Sequence, residues 1–75
     1  MQIEQASKIL AKMYADGAKR GEKAVSIHLF AIKYADQICH MSAKEIAVGA
    51  GLPESYKTEI RKGINLAKYV EVQEI

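Results

Sequence analysis

Residues 41–70, MSAKEIAVGAGLPESYKTEIRKGINLAKYV, read as a short helix, a tight turn and a longer helix. Ser42 is a good N-cap and Glu45 stands three residues on, the spacing of a capping box. The first helix is expected from residue 43 to 49 or 50. Gly51 can take the left-handed conformation that closes a helix, and Pro53 cannot continue one. Leu52, between them, is an apolar plug expected to pack back onto both helices. A second helix follows from residue 53 or 54 to 69, with the Glu54 carboxylate near its positive end.

Helical geometry divides this second helix. At roughly 100° per residue, Tyr56, Ile60, Gly63, Ile64, Ala67 and Val70 gather on one arc. Lys57, Thr58, Arg61, Lys62, Asn65 and Lys68 gather on another. The result is an amphipathic helix with a basic polar face. Arg, Lys, Asn and Thr are the side chains that reach phosphates and base edges in a major groove. An ordinary solvated face also carries such residues, so the arc gains meaning from the turn that precedes it.

The stretch resembles a helix-turn-helix unit. Ile46, Ala47, Ala50, Gly51 and Leu52 fall where that motif has an apolar residue, a small residue, an apolar residue, the turn glycine and an apolar residue. A small Ala47 lets two helices approach closely, and Gly51 makes the turn. Lys57 departs from the pattern, standing where the motif normally places an apolar residue, which implies a second helix rotated or offset by one residue. The whole chain is similar to small bacterial proteins described as HTH-like domains, a likeness that implies a fold and little function.

The chain has 75 residues, so one domain is expected over 1–75, with the motif at 42–69. A domain this small buries only about 60–65% of the surface its unfolded chain exposes, enough for one modest core and no deep catalytic cleft. An apolar fraction of 49% and a charged fraction of 27% are those of a globular chain. The net charge of +2 is a weak signal for nucleic acid, but the charge is uneven. Lys57, Arg61, Lys62 and Lys68 face only Glu59 within residues 56–68, and Lys19, Arg20 and Lys23 form a second cluster.

Cys39 is the one cysteine, so no internal disulfide can form and a reducing, cytoplasmic setting is expected. The start, MQIEQASKIL, lacks the basic lead and apolar run of a signal peptide. No apolar stretch approaches the ~20 residues that span a bilayer, so no membrane partner is expected.

Residues 2–16 place Ile3, Ala6, Leu10 and Met13 on one helical stripe, with Glu4 and Lys8 as a favourable i,i+4 pair. Gly17 and then Gly21 are expected to break this helix, leaving GAKRG as a basic loop that either flanks a phosphate or is merely solvated. Residues 22–39 are the most apolar stretch, and a helix apolar nearly all round is central or covered by a partner. It is expected to pack on both the first helix and the motif, and to offer surface to a second copy. A strand is the competing reading, since Val, Ile and Phe favour strands, but the length without a turn signal argues for a helix. The fold expected is therefore all-α, a four-helix helix-turn-helix domain. The alternation of Val70, Val72 and Ile75 with Glu71, Gln73 and Glu74 adds a short C-terminal strand, a wing or a frayed tail.

No catalytic constellation is visible: no nucleophile elbow, no phosphate-binding glycine loop and no HExxH. GAGLP follows a helix rather than a strand and lacks a lysine. His28 has no partner at i+3 or i+4 and reads as a packed or partly exposed side chain. Cys39 and His40 are adjacent, so on a helix they diverge by roughly 100°. A zinc site wants four ligands at recognisable spacings, and none is expected. Cys39 reads as a small buried residue at a helix end. Neither enzyme activity nor a cofactor is expected.

Two functions stay open. In the first, a dimeric protein reads double-stranded DNA: Lys57, Arg61 and Lys68 contact phosphates or guanine edges, Thr58 and Asn65 read bases, Lys62 shares the face, and Ser55 with free N–H groups approaches a phosphate. In the second, a helix-turn-helix shape serves protein interaction or dimerisation without nucleic acid, in keeping with the low net charge and the acidic Glu71 and Glu74.

Overall fold

A computed structural model describes residues 1–73. They form α1 (Ile3–Lys19), α2 (Lys23–Lys33), α3 (Ala35–Ile38), α4 (Ala43–Gly49) and α5 (Lys57–Leu66), with a 3-10 turn, Glu54–Tyr56, leading into α5. The chain is all-α. Four of these helices correspond to the four expected, and α3 is a single turn that resumes α2 after a break at Tyr34. The described residues form no strand. Residues 70–73 lie in no regular element, so the expected strand or wing is absent there; Glu74 and Ile75 lie outside the described residues. A lone strand would find no ladder for its backbone groups here, since every element among the described residues is helical.

Both glycine closures follow one hydrogen-bond plan. Ser42 Oγ accepts the Glu45 N–H at 3.2 Å and opens α4. At its other end, Gly51 (φ 80°) donates to Val48 O at 3.0 Å and Leu52 to Ala47 O at 3.0 Å. These are the two bonds of a Schellman close. Gly21 (φ 72°) repeats it at the end of α1, donating to Ala18 O at 3.1 Å, while Glu22 donates to Gly17 O at 2.8 Å. The helix thus runs through Gly17, which the sequence reading takes as its breaker. Residues 17–21 are a last turn with its cap rather than a loop.

Gly17 stays helical because α1 meets α2 there. A Cβ on Gly17 would stand 2.6 Å from Ser26 Cβ and 2.9 Å from Glu22 O. The same device recurs at two more crossings. A Cβ on Gly49 of α4 would stand 2.5 Å from Ser7 Oγ of α1, and one on Gly63 of α5 would strike Ala31 Cβ of α2. Ser7 and Ser26 are buried at these approaches, and each hydroxyl has a carbonyl partner: Ile46 O at 3.2 Å and Lys23 O at 2.5 Å. Satisfying a buried hydroxyl removes the cost of its burial.

The core gathers one or two large apolar residues from each helix: Leu10, Ile27, Phe30, Ile38, Ile46 and Ile60 are fully buried or nearly so. Burying side chains of this size stabilises by about 1.5–3 kcal/mol each before entropy is counted. Ala47 is fully buried, and Leu52 packs against the core as expected. α2 lies between α1 and α5, while α1 also carries α4. The expectation that α2 packs on both the first helix and the motif holds, the motif meeting it through α5. α2 is not apolar all round in place: Ala24 and Val25 face outward, Val25 with 45% of its surface exposed.

Candidate nucleic-acid interface

The inner side of α5 fixes what its outer side presents. Ile60 and Gly63 are buried, and Tyr56, Ile64 and Ala67 are half-buried. The Tyr56 ring lies 6.0 Å from that of Tyr14 on α1, tilted by 46°, which ties the entry of α5 to the first helix. Tyr56 thus takes the inward place that the motif pattern assigned to Lys57. A 3-10 turn precedes α5, and Lys57 is exposed. Val70 does not join this arc. α5 ends at Leu66, and the chain tightens through Lys68 N–H to Asn65 O (3.3 Å) and Tyr69 N–H to Leu66 O (2.9 Å). Val70 is half exposed beyond it.

Ser55, Lys57, Thr58, Arg61, Lys62, Asn65 and Lys68 are all exposed. Five belong to α5 itself; Ser55 sits in the 3-10 turn and Lys68 just past the helix end. Their electrostatics differ. Lys57 Nζ is 3.4 Å from Glu54 Oε1, and Lys62 Nζ is 3.3 Å from Glu59 Oε2. Arg61 and Lys68 make no ion pair among the described residues. Glu54 also takes Lys44 Nζ of α4 at 3.7 Å, bracing the two motif helices across their turn. Exposed pairs of this kind are worth about 0–1 kcal/mol, so phosphates can displace them.

The entry to α5 is less open to an anion than the sequence suggests. Tyr56 N–H already donates to Pro53 O at 3.1 Å, and Lys57 N–H to Glu54 O. The 3-10 turn consumes amides that a plain α-helix would leave free.

Sequence reading missed one constellation altogether. His28 Nε2 of α2 lies 2.7 Å from Glu59 Oε1 of α5, with both side chains about 30% exposed. Glu59 falls at the edge between the apolar and basic arcs, and its partner is 31 positions away. The hydrogen bond from His28 holds the Glu59 carboxyl below the usual carboxylate range; Lys62 adds to this, and desolvation opposes it. The one available signal was an imidazole on the same helix as Ala31, the residue that seats Gly63.

Cys39 is exposed at the end of α3, contrary to expectation. Ile38 takes the buried place, and the next residue turns roughly 100° outward. His40 is exposed beside it. Among the described residues no three His, Cys, Asp or Glu side chains converge to hold a metal ion, and no helix is long and apolar enough to cross a membrane.

A family model described as an HTH-like domain matches residues 2–73. No curated protein and no solved structure matches the chain. The match covers nearly the whole length, and the chain belongs to the HTH-like domain family.

Proposed function

We propose that residues 1–75 act as one domain that binds double-stranded DNA with α5 in the major groove, in the service of transcriptional regulation or as an accessory factor. The observation that carries this reading is the division of α5. Its apolar side is clamped on α2, while Lys57, Thr58, Arg61, Lys62 and Asn65 project to solvent from a helix oriented by a Schellman turn. Arg61 and Lys68 supply the cations that make no ion pair among the described residues, Thr58 and Asn65 the base-reading groups, and Lys57, Lys62 and Ser55 contacts at the margins. HTH-like domains are binding rather than catalytic units, in keeping with this role. Two copies would act together, since one short helix makes few contacts for a specific site.

The test is an amide NMR titration of the labelled protein with random duplex DNA, at low and then higher salt. Shifts concentrated on residues 54–68 that fade with salt support the reading, because each neutralised phosphate weakens binding by about 0.9 log unit per log unit of salt. Shifts spread evenly over the chain, or none at all, overturn it.

A protein-interaction role is the second reading, and one observation favours it. Leu66, Tyr69 and Val70 are exposed together at the end of α5, Tyr69 with 84% of its surface in solvent. Concentration-dependent self-association without DNA binding, read by sedimentation, supports this second reading against the first.

A further inference from the structure

We propose that the groove between α1 and the end of α2 binds an acidic peptide segment carrying an apolar or aromatic side chain. The groove, of about 600 Å³, is lined by Lys8, Ile9, Lys12 and Met13 of α1 and by Lys33 and Tyr34 at the end of α2. Its floor is apolar: Ile9, Met13 and Tyr34 are half-buried and pack against the core. Its rim carries Lys8, Lys12 and Lys33, all exposed, and no carboxylate stands among the described lining residues. Lys8 and Lys12 stand at i,i+4 on α1, where like charges repel. Neither makes an ion pair among the described residues. Lys33 Nζ lies 5.8 Å from the centroid of the Tyr34 ring, so cation and aromatic surface form one edge of the groove.

This surface is separate from the motif. Ser7 rests on α4, and Ile9 and Lys12 lie roughly 140–160° around α1 from it. On α2, Lys33 lies roughly 140° from His28, which bonds to α5. Both walls of the groove therefore turn away from α4 and α5, and a partner seated there leaves α5 uncovered.

Charge complementarity and the apolar floor together select the partner. A nucleic-acid backbone matches the lysine rim but leaves Ile9 and Met13 with nothing to cover them. An acidic peptide with an apolar anchor supplies carboxylates to the rim and a side chain to the floor, the anatomy of an apolar centre inside a polar margin.

The test uses the intact labelled chain and three probes: an Asp/Glu-rich synthetic peptide with a central Phe-Leu pair, the same peptide with Ser-Ser at the centre, and an oligothymidylate. The Phe-Leu peptide is expected to shift the amides of residues 8–13 and 33–34 saturably, and to bind about tenfold or more tighter than the Ser-Ser peptide. Lys8→Glu with Lys12→Glu, both at exposed positions, should weaken it by about tenfold or more and leave amides elsewhere in place. Equal affinity for the two peptides reduces the groove to a general polyanion patch and overturns the proposal. Tighter binding of the oligothymidylate to this groove, or peptide shifts on residues 54–68 instead, overturns it too. Duplex binding is read on residues 54–68 and peptide binding on residues 8–13 and 33–34, so either assignment can fail alone.

Discussion

His28 Nε2 of α2 and Glu59 Oε1, in the first turn of α5, meet at 2.7 Å and join the two helices. Gly63, one turn further along α5, rests against Ala31 and the backbone of His28. The hydrogen bond and the close approach together set the rotation of α5, and so decide which of its side chains face solvent.

Glu59 should make stability depend on acid. Its carboxyl is held low by the hydrogen bond from His28 first and by Lys62 second. A lowered carboxyl contributes fully above its unfolded value, about 4.3, and loses that contribution as pH falls through the folded value. Thermal melts should therefore show the parent above Glu59→Gln near pH 6, with the gap narrowing from about pH 5 towards pH 3. A gap that stays constant over that range would show that Glu59 ionisation does not stabilise the fold.

Gly63→Ala should destabilise despite the better helix propensity of alanine. Propensity alone favours Ala by about 1 kcal/mol. The added Cβ meets Ala31 Cβ and stands 3.0 Å from His28 O, neither of which is a flexible side-chain end. Overpacking of this kind costs about 1–3 kcal/mol, so a net loss is expected in urea denaturation. Adding Ala31→Gly should recover part of it. A net gain in stability would mean that α5 can move off α2 at little cost.

Gly51→Ala isolates backbone strain, since no atom beyond the adjoining residues lies within 4 Å of the added Cβ. The positive φ alone should cost about 1–2 kcal/mol. Gly51→Asn should cost less, because asparagine tolerates this conformation. At the other end of α4, Ser42→Ala should cost about 1 kcal/mol through loss of the bond to Glu45 N–H. Chemical denaturation of the three variants checks the order.

Arg61→Ala should weaken duplex binding more than Lys57→Ala. Lys57 is already engaged with Glu54, whereas Arg61 makes no ion pair among the described residues. Each lost phosphate contact lowers the salt slope by about 0.9, while the melting temperature should hold because both residues are exposed. Two variants that bind duplex as tightly as the parent remove this face of α5 from the interface.

The local structure of the motif follows from residues close together in the chain. Ser42 with Glu45 and Gly51 with Leu52 act through hydrogen bonds spanning at most five positions, so their spacing alone prescribes where α4 opens and closes. The period of α5 likewise separated Ile60 and Gly63 from Arg61 and Asn65 before any contact was known. Other features depend on the opposing helix. Gly17 and Gly21 are alike as residues, yet one is a seat for Ser26 inside α1 and the other its cap. Cys39 is exposed because Ile38 fills the core place beside it, and His28 has a partner only because α5 lies across α2. Helix periodicity and capping are properties of a few neighbouring residues. Close approaches and long-range hydrogen bonds require two distant stretches to be held in register, and only the packed core holds them there.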